Sequence, residues 1–292
     1  MLVNIGANVD PVLPPANDSS VVSVAFEPMV PEKIAPHPRL FVVPAAVSSS
    51  SGLATMTPLK GGESSSLGEL ADSKLKASIT REDEQRAPPR IVPIISMTRV
   101  LDALARDDLT LWYLKTDMQG FDFSGALRAA GHRLHRFNYV ATEVHLLRVA
   151  GYSGAHGGND YCLRTLPLML ARGFQPVALL TWWSLTFEER GSLRQPELPR
   201  GQHTNEWPFL FHEGAHGQSS HAGTREARAY CQREADYLAR HNASPPTGLR
   251  EGNAYFRRAG TTLPLPPVEH KSENWVFANA QIMAGTGKLK LW

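Results

Sequence analysis

Residues 109–146 most constrain how this chain folds: an apolar run, a tight turn, a helical stretch and a second apolar run. "LTLWYLKTD" reads as a buried strand that ends on Lys115, Thr116 and Asp117. Gly120 supplies a turn, "FSGALRAAGHRL" reads as a helix, and "YVATEVHL" reads as a further strand with Glu143 inside it. A strand, a crossover helix and another strand predict a parallel pair in an α/β sheet. Ligands in such sheets sit at the carboxyl ends of the strands, where Asp117 falls.

The same alternation extends to both sides. "MLVNIGAN" predicts a strand ending near Gly6, and "VVSVAFEP" predicts one that ends at Glu27 and is stopped by Pro28. "RLFVVPAAV" reads as a third strand, residues 53–57 and "IVPIIS" as two short ones, and 71–90 as an exposed linker. "MTRVLDALA" has helical spacing with Thr98 as its cap. Beyond residue 150, "GGNDYCLRTLPLMLARGF" predicts a helix kinked or restarted at Pro167 and ended by Gly173. "QPVALLTWW" and "NEWPFLF" read as strands. "GTREARAYCQREADYLARHN" reads as an amphipathic helix capped by Thr224. Its stripe of Ala227, Tyr230, Cys231, Ala235 and Leu238 is core packing. The remainder reads as a Pro-rich tail.

A net charge of +2, with no basic stripe, gives no nucleic-acid signature. No apolar run reaches the ~18 residues of a membrane span, and no signal peptide is visible. Cys162 and Cys231 lie outside any CxxC pattern, and their spacing does not decide between a pair and free buried thiols, the plainer expectation. Oligomeric state is not legible.

Three constellations can carry chemistry. A small-residue turn at Gly6 lets a ligand approach the backbone, and a carboxylate at Glu27 suits the two hydroxyls of a ribose, which it can accept bidentately. The bland alternative is an ordinary turn and a solvated glutamate. Asp117 and Glu143, if their strands are neighbours, face one crevice and could hold a divalent cation or take a proton from a hydroxyl. The alternative is a capping aspartate and a surface ion pair; Lys115, on the same strand face, could simply pair with Asp117. "HEGAH", His212 to His216, has the spacing of a zinc hydrolase, but Gly214 and Gly217 weaken the helix it needs by about 1 kcal/mol each. No site metal is expected from it.

"NIGAN", "AFEP", "AAVSSSSG", "VPIISMTRVLDAL", "LKTDMQGFD" and "TEV" occur in the order seen in FkbM-type methyltransferases, which the chain resembles over residues 1 to 183, or to 211 with the last strands. The resemblance implies a class I methyltransferase fold, Rossmann-like, with a seven-stranded, mostly parallel sheet and an antiparallel last strand. It implies S-adenosyl-L-methionine (SAM) as donor and a small hydroxylated acceptor such as a sugar. Asn4, Gly6, Ala7 and Asn8 would form the turn at the donor's methionine part, Glu27 would hold the ribose, and Ser48 would lie near the adenine. Asp117 and Glu143 would be catalytic, directly or through a divalent cation.

The chain departs from the family pattern at Asn4, Asp10, Gln119 and Asp122. Only residues 9–20 separate Asn8 from Val21, and Pro11, Pro14 and Pro15 lie among them. A helical crossover takes about a dozen residues and excludes interior prolines, so the first crossover helix is expected to be short or missing. The expected organisation is a methyltransferase domain over 1–211 and a helical, irregular extension over 212–292. The alternatives are a non-catalytic binding or scaffold module on the same fold, and a zinc hydrolase through His212, Glu213 and His216.

Overall fold

The computed structural model describes residues 1–56, 67, 69–70, 89–146, 152–153, 158–181, 207–210, 222–240, 251–263 and 266. Its strands are β1 (Leu2–Ile5), β2 (Ser23–Phe26), β3 (Leu40–Val43), β4 (Ala46–Ser48), β5 (Gly52–Met56), β6 (Glu69–Leu70) and β7 (Arg90–Ser96). They continue with β8 (Tyr113–Thr116), β9 (Tyr139–His145), β10 (Tyr152–Ser153), β11 (Phe174–Thr181), β12 (Trp207–Leu210) and β13 (Glu251–Arg258). The α-helices are α1 (Met97–Ala103), α2 (Arg128–Ala130), α3 (Leu166–Ala171) and α4 (Ala222–Arg240).

Eight strands form one sheet in the order β12-β11-β13-β9-β8-β1-β2-β3. From β9 to β3 every pairing is parallel. β13 runs antiparallel to both of its neighbours, β9 and β11, and β12 is antiparallel on β11. This is an α/β, mostly parallel mixed sheet, compatible with a Rossmann-like fold. A three-stranded sheet, β4-β7-β5, flanks it. The run at 39–47 is thus two strands, split where Pro44 cannot donate to a ladder.

The boundary expected at residue 211 cuts through this sheet. β13 lies between β9 and β11 with a seven-residue register to β9, from Glu251↔His145 to Arg257↔Tyr139. α4 adds Ala227 and Tyr230 to the main core. A disulfide joins Cys162 to Cys231, which corrects the expectation of free thiols. It ties α4 to the π-helical turn Tyr161–Thr165 that leads into α3.

Strand alternation sends Val3, Ile5, Leu114, Val140, Ala254 and Phe256 to one face, where α1 to α4 pack on them. Leu2, Tyr113, Tyr139, Ala141 and Tyr255 go to the other face, against Val12 and Val21. Val12 and Val21 belong to the connection between β1 and β2, which contains no helix, as the prolines predict. Side chains satisfy its backbone instead. Asn4 Oδ1 accepts from the Val12 N–H at 2.9 Å, and Ser23 Oγ donates to the Val12 carbonyl at 2.6 Å. The Arg39 guanidinium donates to the carbonyls of Pro15 (2.7 Å), Val21 (3.0 Å) and Asp18. A buried backbone group needs a partner whether or not a helix provides it.

Local capping differs from expectation at two helices. Ser96, not Thr98, caps α1, its hydroxyl accepting from the Arg99 N–H at 3.3 Å. α4 begins at Ala222, so Thr224 falls inside its first turn. The segment after the Asp117 turn is less regular than an α-helix. It passes from a π-helix (Asp122–Leu127) through α2 to a 3-10 helix (Gly131–Arg136). Pro167 restarts the later helix at its first turn, and Gly173, with φ 78°, ends it. No helix among the described residues is long and apolar enough to cross a membrane.

Candidate functional site

The parallel strands β1, β2 and β8 end together, and a pocket open to solvent lies there, with a cavity volume of about 90 Å³. Gly6, Asn8, Glu27, Asp117 and Gln119 bring polar groups to its lining. Ile5, Phe26, Met29, Val47, Met56 and Phe121 supply apolar wall. The small sheet matters here: β4 and β5 bring Val47 and Met56 to the pocket, and Arg90 of β7 donates to the Met29 carbonyl at 2.8 Å.

Gly6 sits with φ 73°, and its N–H donates to the Phe26 carbonyl at 2.9 Å. A Cβ there would lie 1.8 Å from the Asp117 carbonyl oxygen. Only glycine lets the ends of β1 and β8 meet this closely. Asn8 also takes a positive φ, 47°, and presents its N–H to Glu27 Oε2 at 2.7 Å.

Glu27 is buried and committed to its own chain. Oε1 accepts the N–H groups of Met29 at 2.7 Å and Val30 at 3.2 Å, and Oε2 accepts that of Asn8. A carboxylate has about four lone-pair sites, two per oxygen. Oε1 is filled, while Oε2 keeps one. The expected bidentate grip on two hydroxyls is therefore not available in this arrangement; a single hydrogen bond from a pocket ligand to Oε2 is. Glu27 also organises the pocket lip, since it pins the turns after β1 and β2 together.

The expected donor-turn residues divide. Gly6 and Asn8 line the pocket with Glu27. Asn4 does not: strand alternation turns it to the opposite sheet face, fully buried, where it anchors Val12. Ala7 does not either; it packs with Ala25 and Ile34. Ser48 ends β4 beside the π-helical turn, its Cα 3.4 Å from a Cβ built on Gly125, and is not part of the lining.

Asp117 lines the pocket, half-buried, and Glu143 is buried on the neighbouring strand. The two carboxylates do share a neighbour. Gln119 Nε2 donates to Asp117 Oδ1 at 2.9 Å and reaches Glu143 Oε1 at 3.4 Å. Lys115 is buried on the same strand face. Burial lowers its ammonium from the ordinary value, and the charges of Asp117, Asp10 and Glu143 oppose that shift. Among the described residues no group of three or more His, Cys, Asp or Glu is placed to hold a metal ion. His212, Glu213 and His216, with His203 and His221, lie outside the described residues.

Behind the turn lies a buried network. Asp122, fully buried, accepts the Met118 N–H at 3.0 and 3.1 Å and the Asn159 amide at 2.6 Å. Asn159 Oδ1 accepts the Phe123 N–H at 2.9 Å, and the Asn159 carbonyl accepts the His145 N–H at 2.9 Å. Burial, and then the charge of Asp117, push the Asp122 carboxyl up to about 7. Burial holds the His145 imidazole neutral, down to about 4. The turn that carries Asp117, Met118 and Gln119 is thus braced from below. The sequence marked Asp122 as a departure but carried no signal for Asn159, which lies 37 residues away.

No protein-family model, no curated protein and no solved structure matches this chain.

Proposed function

We propose that the chain is a SAM-dependent methyltransferase of the FkbM type that methylates a hydroxyl of a small acceptor such as a sugar. The observation that carries the reading is one pocket at the carboxyl ends of β1, β2 and β8 that gathers Gly6, Asn8, Glu27 and Asp117. Strand direction supports it as well: beside five parallel strands the last strand, β13, runs antiparallel. An antiparallel last strand is what the sequence resemblance implies, although the sheet has eight strands rather than seven and β12 is antiparallel too.

The lining fits such a donor. The bare backbone at Gly6 gives close access, Phe26, Met29 and Phe121 offer apolar wall to a purine, and Oε2 of Glu27 retains room for one ribose hydroxyl. When bound, SAM supplies an electrophilic methyl on a sulfonium with a neutral thioether leaving group. The chain's part is positioning. Glu27 fixes the sugar and the turn, and Asp117 accepts the hydrogen bond, then the proton, of the attacking hydroxyl.

Isothermal titration of the full chain with S-adenosylhomocysteine tests the proposal. Saturable heat from the wild type, weakened at least about tenfold in Glu27→Ala, is the expected result. A folded chain that gives no heat would overturn it. That outcome would favour a second reading, a non-catalytic binding module on the same fold. The saturation of Glu27 Oε1 by the chain's own N–H groups favours this second reading.

A further inference from the structure

The backbone of Gln119 has φ 50°, in the left-handed region that side-chain-bearing residues rarely adopt, and Gly120 follows with φ 93°. This turn lifts the Gln119 side chain back over the end of β8, where its amide lies between Asp117 Oδ1 (2.9 Å) and Glu143 Oε1 (3.4 Å). Two carboxylates so close repel one another unless a cation or a shared donor stands between them. A side-chain amide NH2 has two protons, one for each oxygen, and no charge of its own. The other charged groups near the pair are Lys115, whose ammonium feels Asp117, Asp10 and Glu143, and the buried Asp122 behind the turn.

We propose that Gln119 is a positioning residue that, beside the Lys115 ammonium, lets Asp117 and Glu143 stand close together. Its amide joins Asp117 to Glu143, so that Asp117 is held in one orientation at the pocket with Oδ2 left for the acceptor hydroxyl. The inference rests on the transferase reading only for the identity of what meets Asp117. The bridge itself does not depend on that reading. It makes the site independent of divalent cations and favours an uncharged or cationic hydroxyl compound, because an anionic acceptor would meet the carboxylates of Asp117 and Glu27 on the pocket lining.

The test uses Mn2+ as the probe and the six-line paramagnetic resonance signal of the free ion as the readout, on the full chain with folding checked by circular dichroism. The wild type at about 1 mM Mn2+ is expected to leave the signal unchanged. Gln119→Glu places a third carboxylate where the amide stood, and is expected to quench the signal saturably, one ion per chain. Adding Asp117→Asn to that variant is expected to restore it. Gln119→Asp, with the same charge on a shorter arm, serves if Gln119→Glu does not fold. Quenching by the wild type that Asp117→Asn abolishes would overturn the proposal, as would a folded Gln119→Glu that leaves the signal unchanged. Because the readout does not involve the methyl donor, failure of donor binding would remove the transferase reading and leave this result standing.

Discussion

Gly6 and Asp117 meet backbone to backbone: a Cβ on Gly6 would lie 1.8 Å from the Asp117 carbonyl oxygen. The turn after β1 and the turn after β8 therefore form one surface, and the floor of the pocket exists only because residue 6 has no side chain. Gly6→Ala must both adopt φ 73° and push Asp117 away. The expected loss of stability is about 2–4 kcal/mol, measured by urea denaturation. A loss below about 1 kcal/mol would mean that the two turns are not in contact.

Glu27 should matter to stability before it matters to any ligand. Its carboxylate satisfies three backbone N–H groups, those of Asn8, Met29 and Val30. Glu27→Ala leaves them without that acceptor, at an expected cost of about 2–4 kcal/mol, while Glu27→Gln, which keeps the shape but loses the charge, should cost less. Thermal unfolding of both variants checks the order. A cost below about 1 kcal/mol for Glu27→Ala would show that the hydrogen bonds are not carried by the carboxylate.

The disulfide between Cys162 and Cys231 closes a loop with a sequence separation of 69. Loop-closure entropy at that length predicts about 4 kcal/mol of stabilisation. Urea midpoints of the oxidised chain and of a Cys162→Ser/Cys231→Ser chain should differ accordingly, with α4 the first element lost. Identical midpoints with and without reductant would contradict the pairing.

Asp122 gives a pH dependence whose sign can be worked out. Its folded value, raised to about 7 from an ordinary 3.8, means that the folded state holds a proton which the unfolded state releases earlier. Its contribution to stability is fully present below about pH 4 and is lost as pH rises through 7. Asp122→Asn removes this term, so its melting temperature relative to wild type should climb between about pH 4 and pH 7 and level off above. A flat difference would place Asp122 in a more polar setting than its full burial indicates.

Local patterns in the sequence determined most of the strands, because alternation and apolar runs are properties of a few adjacent residues. β1, β2, β8 and β9 are legible in "VNI", "VAF", "YLKT" and "YVATEVH", and so are Gly6 and Asp117 at strand ends. The lack of a first crossover helix is legible too, since three prolines in residues 9–20 exclude it through their own backbone geometry. β13 was not. "EGNAYFRR" carries charged residues at both ends and lies in what reads as an irregular extension, and it becomes a strand because it pairs with both β9 and β11.

The site shows the same division. Which residues end the strands was written in the sequence, but which way each one faces depended on register and on what lay across from it. Asn4 turned away to hold Val12, Glu27 turned onto its own turn, and Gln119 came to lie between Asp117 and Glu143. The sequence by itself determined the strand pattern and the glycine that the turn requires, since those follow from backbone sterics and side-chain period. Only the tertiary structure decided the pocket, the disulfide and the amide bridge, because each depends on atoms far apart in the chain, and only packing sets the distance between them.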